Sequence, residues 1–429
     1  MKILVIGSGG REHAIITALS KSKRLTEIHA APGNGGIAEL ATCHDVKATD
    51  IPGMVKLAQE INADWVFVAP DDPLVLGMVD SLNENGFATF GPRKNAAILE
   101  GSKHFSKDFM KRHAIPTADY ESFTDSATAN AYIKAKDSYP CVIKCDGLAL
   151  GKGVIIAEDE TAAFTAVKDI LDGGKFGGAG GRIVIEEYLE GVEVTVLAFT
   201  DGKTVVPFPA STDHKRALDG DKGLNTGGMG VVAPVPYYTA EIADECMEKI
   251  FLPTIKGMAE EGRAFKGCIY FGLMISPTFP DKCSAKVIEY NCRFGDPETQ
   301  ALLPLLETDL LDIIESVWEE KLDTLDINFS NLKSACVVMA SGGYPEKYST
   351  GFTISGIEAT ANPQDGVHVF HAGTRIQNSE LVTAGGRVLN VVGIGETLEN
   401  ALEKAYSAVK SITFEGAHYR TDIGKKAIT

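Results

Sequence analysis

Polar residues recur at every second position in the stretch Val287-Ile288-Glu289-Tyr290-Asn291-Cys292-Arg293-Phe294-Gly295-Asp296-Pro297-Glu298. In a strand, alternate side chains share a face, so Glu289, Asn291 and Arg293 would line up a carboxylate, an amide oxygen and a guanidinium. Oxygen donors suit magnesium bridging phosphate oxygens. An arginine beside them can stabilise a phosphoryl group in transfer. A half-exposed edge strand would show the same alternation.

Three other segments carry groups that could meet a phosphorylated ligand. Gly7-Ser8-Gly9-Gly10-Arg11-Glu12-His13 follows an apolar run and opens a helical one. Backbone N–H groups at such a turn favour an anion. The third glycine of a dinucleotide fingerprint would fall at Glu12, and the next strand ends in Ala31-Pro32-Gly33-Asn34, with no acid for a ribose. A monophosphate fits this turn better than a dinucleotide, and a purely structural turn also fits. Asp146-Gly147-Leu148-Ala149-Leu150-Gly151-Lys152-Gly153-Val154 follows a strand ending in Lys144. It lacks the Ser or Thr after lysine of a P-loop. It reads either as a lid over phosphates with Lys144 beneath, or as a hairpin. The stretch 184–193 runs from an apolar strand into an acidic turn. There a strand backbone can pair with an adenine edge, and a carboxylate a few residues on can hold ribose hydroxyls.

Elements must position these groups. Strand patterns at residues 2–8, 27–32, 65–69 and 88–90 alternate with helical patterns at 11–22, 54–61 and 74–83, which implies a parallel sheet. Ligands on such sheets sit beyond the carboxyl ends of the strands, where glycines cluster here. A helix is expected over 102–113, and strands over 139–144, 182–187, 193–200, 270–275 and 285–291. Helices are expected over 242–261 and 308–320. The segment 210–230 is polar and glycine-rich and reads as a long functional loop. Beyond about residue 330 the pattern turns β-rich (336–340, 367–371, 387–392), with a closing helix over 398–411.

The chain has 429 residues, which suggests about three domains. Apolar residues make up 44% and charged residues 23%, as expected of a protein with real cores. The net charge of −17 argues against nucleic acid and anionic membranes as partners. No apolar run approaches a membrane span or a secretory leader. The eight cysteines include no CxxC pair and read as buried thiols of a reducing cytoplasm.

Together and in this order, the segments resemble the ATP-grasp superfamily. The match is closest to its phosphoribosylamine–glycine ligase family and runs nearly end to end. It is carried by Gly10-Arg11-Glu12-His13, Pro32-Gly33-Asn34, residues 144–154, Asp213-His214-Lys215-Arg216, Asn225-Thr226-Gly227-Gly228-Met229-Gly230, Arg293-Phe294-Gly295-Asp296-Pro297-Glu298 and Tyr419-Arg420-Thr421-Asp422-Ile423-Gly424. The resemblance implies an α/β multidomain ATP-grasp fold. A Rossmann-like parallel-sheet domain would span 1–102, the ATP-grasp domain 103–325 with a lid near 120–192, and a β-rich domain 326–429.

It also implies an activity: ATP-dependent ligation of glycine to 5-phosphoribosylamine through glycyl phosphate, in de novo purine synthesis towards IMP. Magnesium or manganese would be held by Glu289 and Asn291. Lys103, Lys144, Gly147, Gly151, Lys152 and Gly153 would meet ATP phosphates, with Glu186 and Leu189 at the adenine and Glu193 at the ribose. Arg293, Lys144 and Asp213 would act in catalysis. Asp213, Lys215, Asn225 and Thr226 would shape the substrate pocket. Gly9, Gly10, Arg11, Glu12, His13, Gly33, Asn34 and Asp71 would hold the phosphoribosyl end. His13 and His214 read equally as positioning groups or bases. A monomer is expected, with small-molecule partners only. The chain departs from the family pattern in three places. No acid stands in Tyr270-Phe271-Gly272-Leu273-Met274, Asp71 replaces a glutamate, and Leu224 replaces a proline. Another ATP-grasp carboxylase or transformylase, or a nucleotide sensor, remains as an alternative.

Overall fold

The alternating strands and helices of the first hundred residues build a five-stranded parallel sheet in this computed structural model, which describes residues 1–148, 153–173, 180–279 and 284–428. Its first strand, Lys2–Gly7, lies between Glu27–Pro32 on one side and Trp65–Val68 on the other. The chain order thus reverses at Lys2–Gly7, and a crevice opens beyond its carboxyl end. The turn at Gly7 (φ +131°) and the segment after Trp65–Val68 both lead into that crevice.

The helix expected over 74–83 is two helices, Asp71–Leu76 and Met78–Glu84. Gly77, at φ +101°, breaks it, because the left-handed backbone cannot continue a right-handed helix. An unanticipated helix, Lys94–Gly101, follows, and Ser102 then caps Lys103–Arg112 by accepting from the Phe105 N–H.

Two antiparallel four-stranded sheets face the next part of the chain. One contains Tyr120–Phe123, Ile183–Glu187, Cys141–Cys145 and Val154–Ala157, in that spatial order. It has its own core of Ile143, Ile183, Ile185, Ala163 and Val167. The other runs Val205–Pro207, Val192–Thr200, Gly267–Ile275, Ala285–Asn291. The segment 210–230 is no featureless loop. It contains Thr212–Asp213 and a hairpin of Arg216–Leu218 with Lys222–Asn225. Its pattern was hidden because these strands are very short. Thr212–Asp213 and Gly230–Ala233 join Lys333–Ala340, Arg387–Gly395 and Val367–His371 in one sheet, which therefore draws strands from both sides of residue 325.

Phe294 fastens these layers together. Its ring is fully buried, with ring centres of Phe67 and Phe90 at 5.9 and 6.3 Å and those of Phe199 and Phe208 at 5.8 and 5.9 Å. Truncating such a ring costs about 3–5 kcal/mol. Its neighbour Arg293 is thus carried by a rigid part of the core. Among the described residues no helix is long and apolar enough to cross a membrane. The seven cysteines described are free thiols, all buried except Cys43.

Candidate active site

The strand Ala285–Asn291 slips register against Gly267–Ile275. Gly272 lies opposite Glu289 but Leu273 lies opposite Val287, so Ile288 is the extra residue of a bulge. The bulge resets the alternation. Val287 is buried in the core, whereas Glu289, Asn291 and Arg293 share a half-buried face. Gly272 leaves room for the carboxylate: a Cβ there would come within 3.1 Å of Glu289 Cγ.

Lys144 bridges the two antiparallel sheets. Its ammonium donates to the Ile288 carbonyl at 3.1 Å and meets the Glu186 oxygens at 2.9 and 3.0 Å. Glu186 also pairs with Lys107 at 2.8 Å. Burial pushes the Glu186 carboxyl up, but Lys144 and Lys107 outweigh it and hold the group below its usual range. Burial drives Lys107 down to about 8 against the pull of Glu186. The Glu186 carboxylate is therefore committed to two ammonium groups. Its side chain is thereby occupied, which leaves the main chain of this strand as the part open to a ligand. Leu189 is half-buried in the turn beyond the strand.

Lys215 joins two further carboxylates, at 2.9 Å from Glu193 and 3.9 Å from Glu289. Burial raises the Glu289 carboxyl, but Lys215, Lys144, Lys103 and Arg293 together keep it below its ordinary value, so it is ionised at neutral pH. An ionised carboxylate and the Asn291 amide on one face are a donor set that fits magnesium, which commonly takes one or two carboxylates and keeps the rest of its shell for water and phosphate. The described residues contain no group of three or more His, Cys, Asp or Glu suited to a metal.

Arg293 meets Glu100 at 3.2 Å and Asp71 at 3.7 Å, and donates to Asn291 Oδ1 at 3.5 Å. Burial lifts Glu100 to about 7, opposed by Arg293. Burial also acts on Asp71, but Arg293 and Arg11 outweigh it and lower that carboxyl.

Asp213 lines a small pocket with Glu193, Thr195, Lys215, Tyr270 and Glu289. Burial, then the nearby Glu298, raise its carboxyl well above the usual range, and its Oδ1 has no hydrogen-bond partner among the described residues. Glycine at 228 (φ +113°) is required, since a Cβ would lie 2.4 Å from Pro297 Cδ and 2.7 Å from Asp213 Oδ1. The hairpin beside it pairs Arg216 with Asn225. Thr226 Oγ1 donates to the Lys215 carbonyl and accepts from the Gly228 N–H. The His214 Nε2 accepts from the Gly424 N–H at 3.1 Å, so its Nδ1 carries the proton facing the Gly230 carbonyl. Both ring nitrogens of His214 are thus engaged by backbone groups. Buried Arg420 pairs with Asp422 and Asp221 at 2.8 and 2.9 Å and donates to the Arg216 carbonyl, so the closing motif braces this hairpin.

At the N-terminal turn, Glu12 folds back to accept from the Gly9 N–H, and Arg11 pairs with Glu12 at 2.6 Å. Gly10 is packed so closely that a Cβ would strike Asn390 and Gln300. Gly33 (φ +74°) has room only for hydrogen, with Cys43 Sγ at 2.4 Å from a built Cβ. Two residues of this turn have side chains engaged by the protein itself. Asn34 donates to the Ser8 and His371 carbonyls and accepts from the Gly36 and Ile37 N–H groups, which fills its amide. His13 lies under the turn, its Nδ1 accepting from the His371 N–H at 2.9 Å. Burial, then His371, lower it to about 3, so it is neutral. Both shape the turn.

Lys103 reaches across to donate to the Gly147 carbonyl at 2.9 Å. The Gly153 carbonyl accepts from the Cys145 N–H at 2.9 Å. Gly151 and Lys152 lie outside the described residues. The sequence reading passed over Glu100, Lys107 and Arg387. The last donates to the Gly227 and Asp296 carbonyls at 2.6 and 2.9 Å and pairs with the Asp296 carboxylate at 3.3 Å. Only Arg387, set after two glycines, carried a local signal. The other two lie on ordinary helical surfaces until the fold buries them.

Comparison with known proteins bears on this arrangement. Models of the N domain, the ATP-grasp (A) domain and the C domain of phosphoribosylglycinamide synthetase match residues 1–100, 101–299 and 334–426. A phosphoribosylamine–glycine ligase of Clostridium acetobutylicum is 46% identical over 425 residues, covering 99% of this chain and 100% of that protein. The chain belongs to the phosphoribosylglycinamide synthetase family. The crystal structure of the phosphoribosylamine–glycine ligase from Thermotoga maritima superposes with a TM-score of 0.84 at 34% identity, covering 99% of this chain and 100% of that one. The fold is thus ATP-grasp, with the parallel sheet at the N-terminus and antiparallel sheets after it. A biotin carboxylase domain of Hydrogenobacter thermophilus 2-oxoglutarate carboxylase, solved with MgADP, shares the fold alone. It matches at 17% identity and TM-score 0.73, over 97% of this chain and 91% of that one. Within the synthetase family, the Glu289 face and Lys144 occupy the ATP-grasp segment.

Proposed function

We propose that this chain joins glycine to 5-phosphoribosylamine using ATP, giving glycinamide ribonucleotide, ADP and phosphate in de novo purine synthesis towards IMP. The observation that carries the reading is the face of Glu289, Asn291 and Arg293 beside the sheet-bridging Lys144, in a chain related end to end to phosphoribosylamine–glycine ligases.

A carboxylate is a poor electrophile, so it must first gain a leaving group. A glycine carboxylate oxygen attacks the γ-phosphorus of ATP, the bond to ADP breaks, and glycyl phosphate forms. The amine of 5-phosphoribosylamine then attacks the glycyl carbonyl, the C–O bond breaks, and phosphate leaves. Lys144, Lys103, Gly147 and Gly153 hold the ATP phosphates, with Gly151 and Lys152 assigned to the same loop. Leu189 and the Glu186 main chain receive the adenine, and Glu193 the ribose. Glu289 and Asn291 would hold magnesium or manganese, which would neutralise charge on the β- and γ-phosphates. Arg293 stabilises the phosphoryl group in transfer. Asp213, whose Oδ1 has no hydrogen-bond partner among the described residues, lines the same pocket and takes the proton from the attacking amine. Lys215, Asn225 and Thr226 shape the pocket around it. Backbone groups of Gly9, Gly10, Gly33 and the Arg11–Glu12 turn receive the phosphoribosyl end, with Asp71 at its sugar. His13 and Asn34 set that turn from behind.

A monomer with small-molecule partners only belongs to the same reading. Free thiols fit a reducing cytoplasm. Phosphate release measured with each substrate omitted in turn tests the reading. Release must require ATP, glycine and 5-phosphoribosylamine together, and release without either acceptor would overturn it.

A further inference from the structure

The arginine assigned to the phosphoryl group is gripped from behind by a residue far away in sequence. Glu100 lies in the last turn of the helix Lys94–Gly101 and is only 7% exposed. One of its oxygens accepts from the Cys292 N–H at 2.7 Å, and the other lies 3.2 Å from Arg293 Nη2. It thus holds both the backbone just before Arg293 and the guanidinium itself. The remaining contacts of the guanidinium are looser or local. Asp71 is at 3.7 Å, Asn291 Oδ1 at 3.5 Å and the Phe294 carbonyl at 3.2 Å, and Nε has no partner among the described residues. An arginine left to itself samples many rotamers, and a reacting site must be held to about 0.5 Å by packed, hydrogen-bonded supports.

We propose that Glu100 is the positioning residue of Arg293, fixing the guanidinium plane and the end of its strand so that Arg293 addresses the transferring phosphoryl group. The proposal rests on the role assigned to Arg293 above. Glu100 is buried behind Arg293 and acts through it. It also stands two residues before Ser102, whose hydroxyl meets Asp146, and three before Lys103, which reaches Gly147. The same turn therefore sets the arginine and the entry to the glycine loop.

Steady-state kinetics of Glu100→Gln, Arg293→Ala and the double variant test this. Glutamine places an N–H group against one of two donors, so kcat should fall about 10²-fold, with KM for ATP and glycine unchanged. Adding Glu100→Gln to Arg293→Ala should cause no further loss, since both act through one group. Glu100→Asp, which keeps the charge, should recover part of kcat. It also serves as the reporter if the glutamine variant does not fold. A support that merely stabilises the fold would lower the folded fraction and leave kcat per folded molecule intact. Wild-type kcat in Glu100→Gln, or losses that multiply in the double variant, would overturn the positioning role while leaving Arg293 in place. Near-normal turnover in Arg293→Ala would instead remove the reading on which it rests.

Discussion

The Arg11 guanidinium donates to the Phe294 carbonyl at 3.1 Å, tying the first glycine turn to the residue after Arg293 across 283 positions of sequence. Its Nε simultaneously holds the Glu12 carboxylate that closes on Gly9. The turn assigned to the phosphoribosyl end and the strand assigned to phosphoryl transfer therefore share one cation. Arg11→Ala leaves the buried Glu12 without its charge partner, at an expected cost of about 3–5 kcal/mol. Urea denaturation should show this as a lower midpoint. An unchanged midpoint would mean that the pair contributes nothing.

Arg293→Ala should lower turnover by roughly 10³-fold or more, as loss of a cation on a transferring phosphoryl group does. ATP binding, measured by fluorescent-nucleotide displacement, should persist, because Lys144 and Lys103 are untouched. Loss of ATP binding in step with turnover would assign Arg293 to the ground state instead.

Glu289→Gln removes the ionised donor and leaves Asn291. Half-saturating magnesium should rise by about tenfold or more in turnover assays, with saturating magnesium recovering part of the rate. A superimposable titration would take Glu289 out of the metal shell.

His13 gives a pH dependence of stability. Its pKa falls from 6.5 to about 3 on folding, through burial and then His371. Between those values the unfolded chain binds the proton and the native one does not. The contribution of His13 is thus fully present above about 6.5 and is lost as pH falls towards 3, by up to about 1.4 kcal/mol per pH unit. His13→Asn, whose amide oxygen can still accept from the His371 N–H, should flatten that acid limb of denaturation midpoint against pH. An unchanged slope would show that His13 is solvated in the native state.

The legible parts of this site were local. Glu289, Asn291 and Arg293 stand two apart, and a strand turns that spacing into a shared face. The bulge at Ile288 was not legible, although it puts Val287 in the core and Glu289 on the half-buried face. A bulge depends on the partner strand, and nothing in the single strand announces it. Glu100 was missed for a similar reason. Its helix is short, follows Gly91-Pro92, and gains its meaning from Cys292, 192 positions on. The hydrogen bonds of Asn34 were not legible either, because its amide is filled by backbone groups of Ser8 and His371 that only the fold brings near. The parallel order of the first sheet was readable because strand and helix periods alternate cleanly. The very short strands of 210–230 were not, because two to four residues carry no clear period.

The central claim is that the Glu289–Arg293 face directs the γ-phosphoryl group onto the carboxylate of glycine. Glycine labelled with ¹⁸O in its carboxylate tests this most directly, with the released phosphate analysed by mass spectrometry. The account predicts one labelled oxygen in each phosphate released, because the oxygen that attacks phosphorus leaves with it. Unlabelled phosphate formed alongside glycinamide ribonucleotide would contradict it.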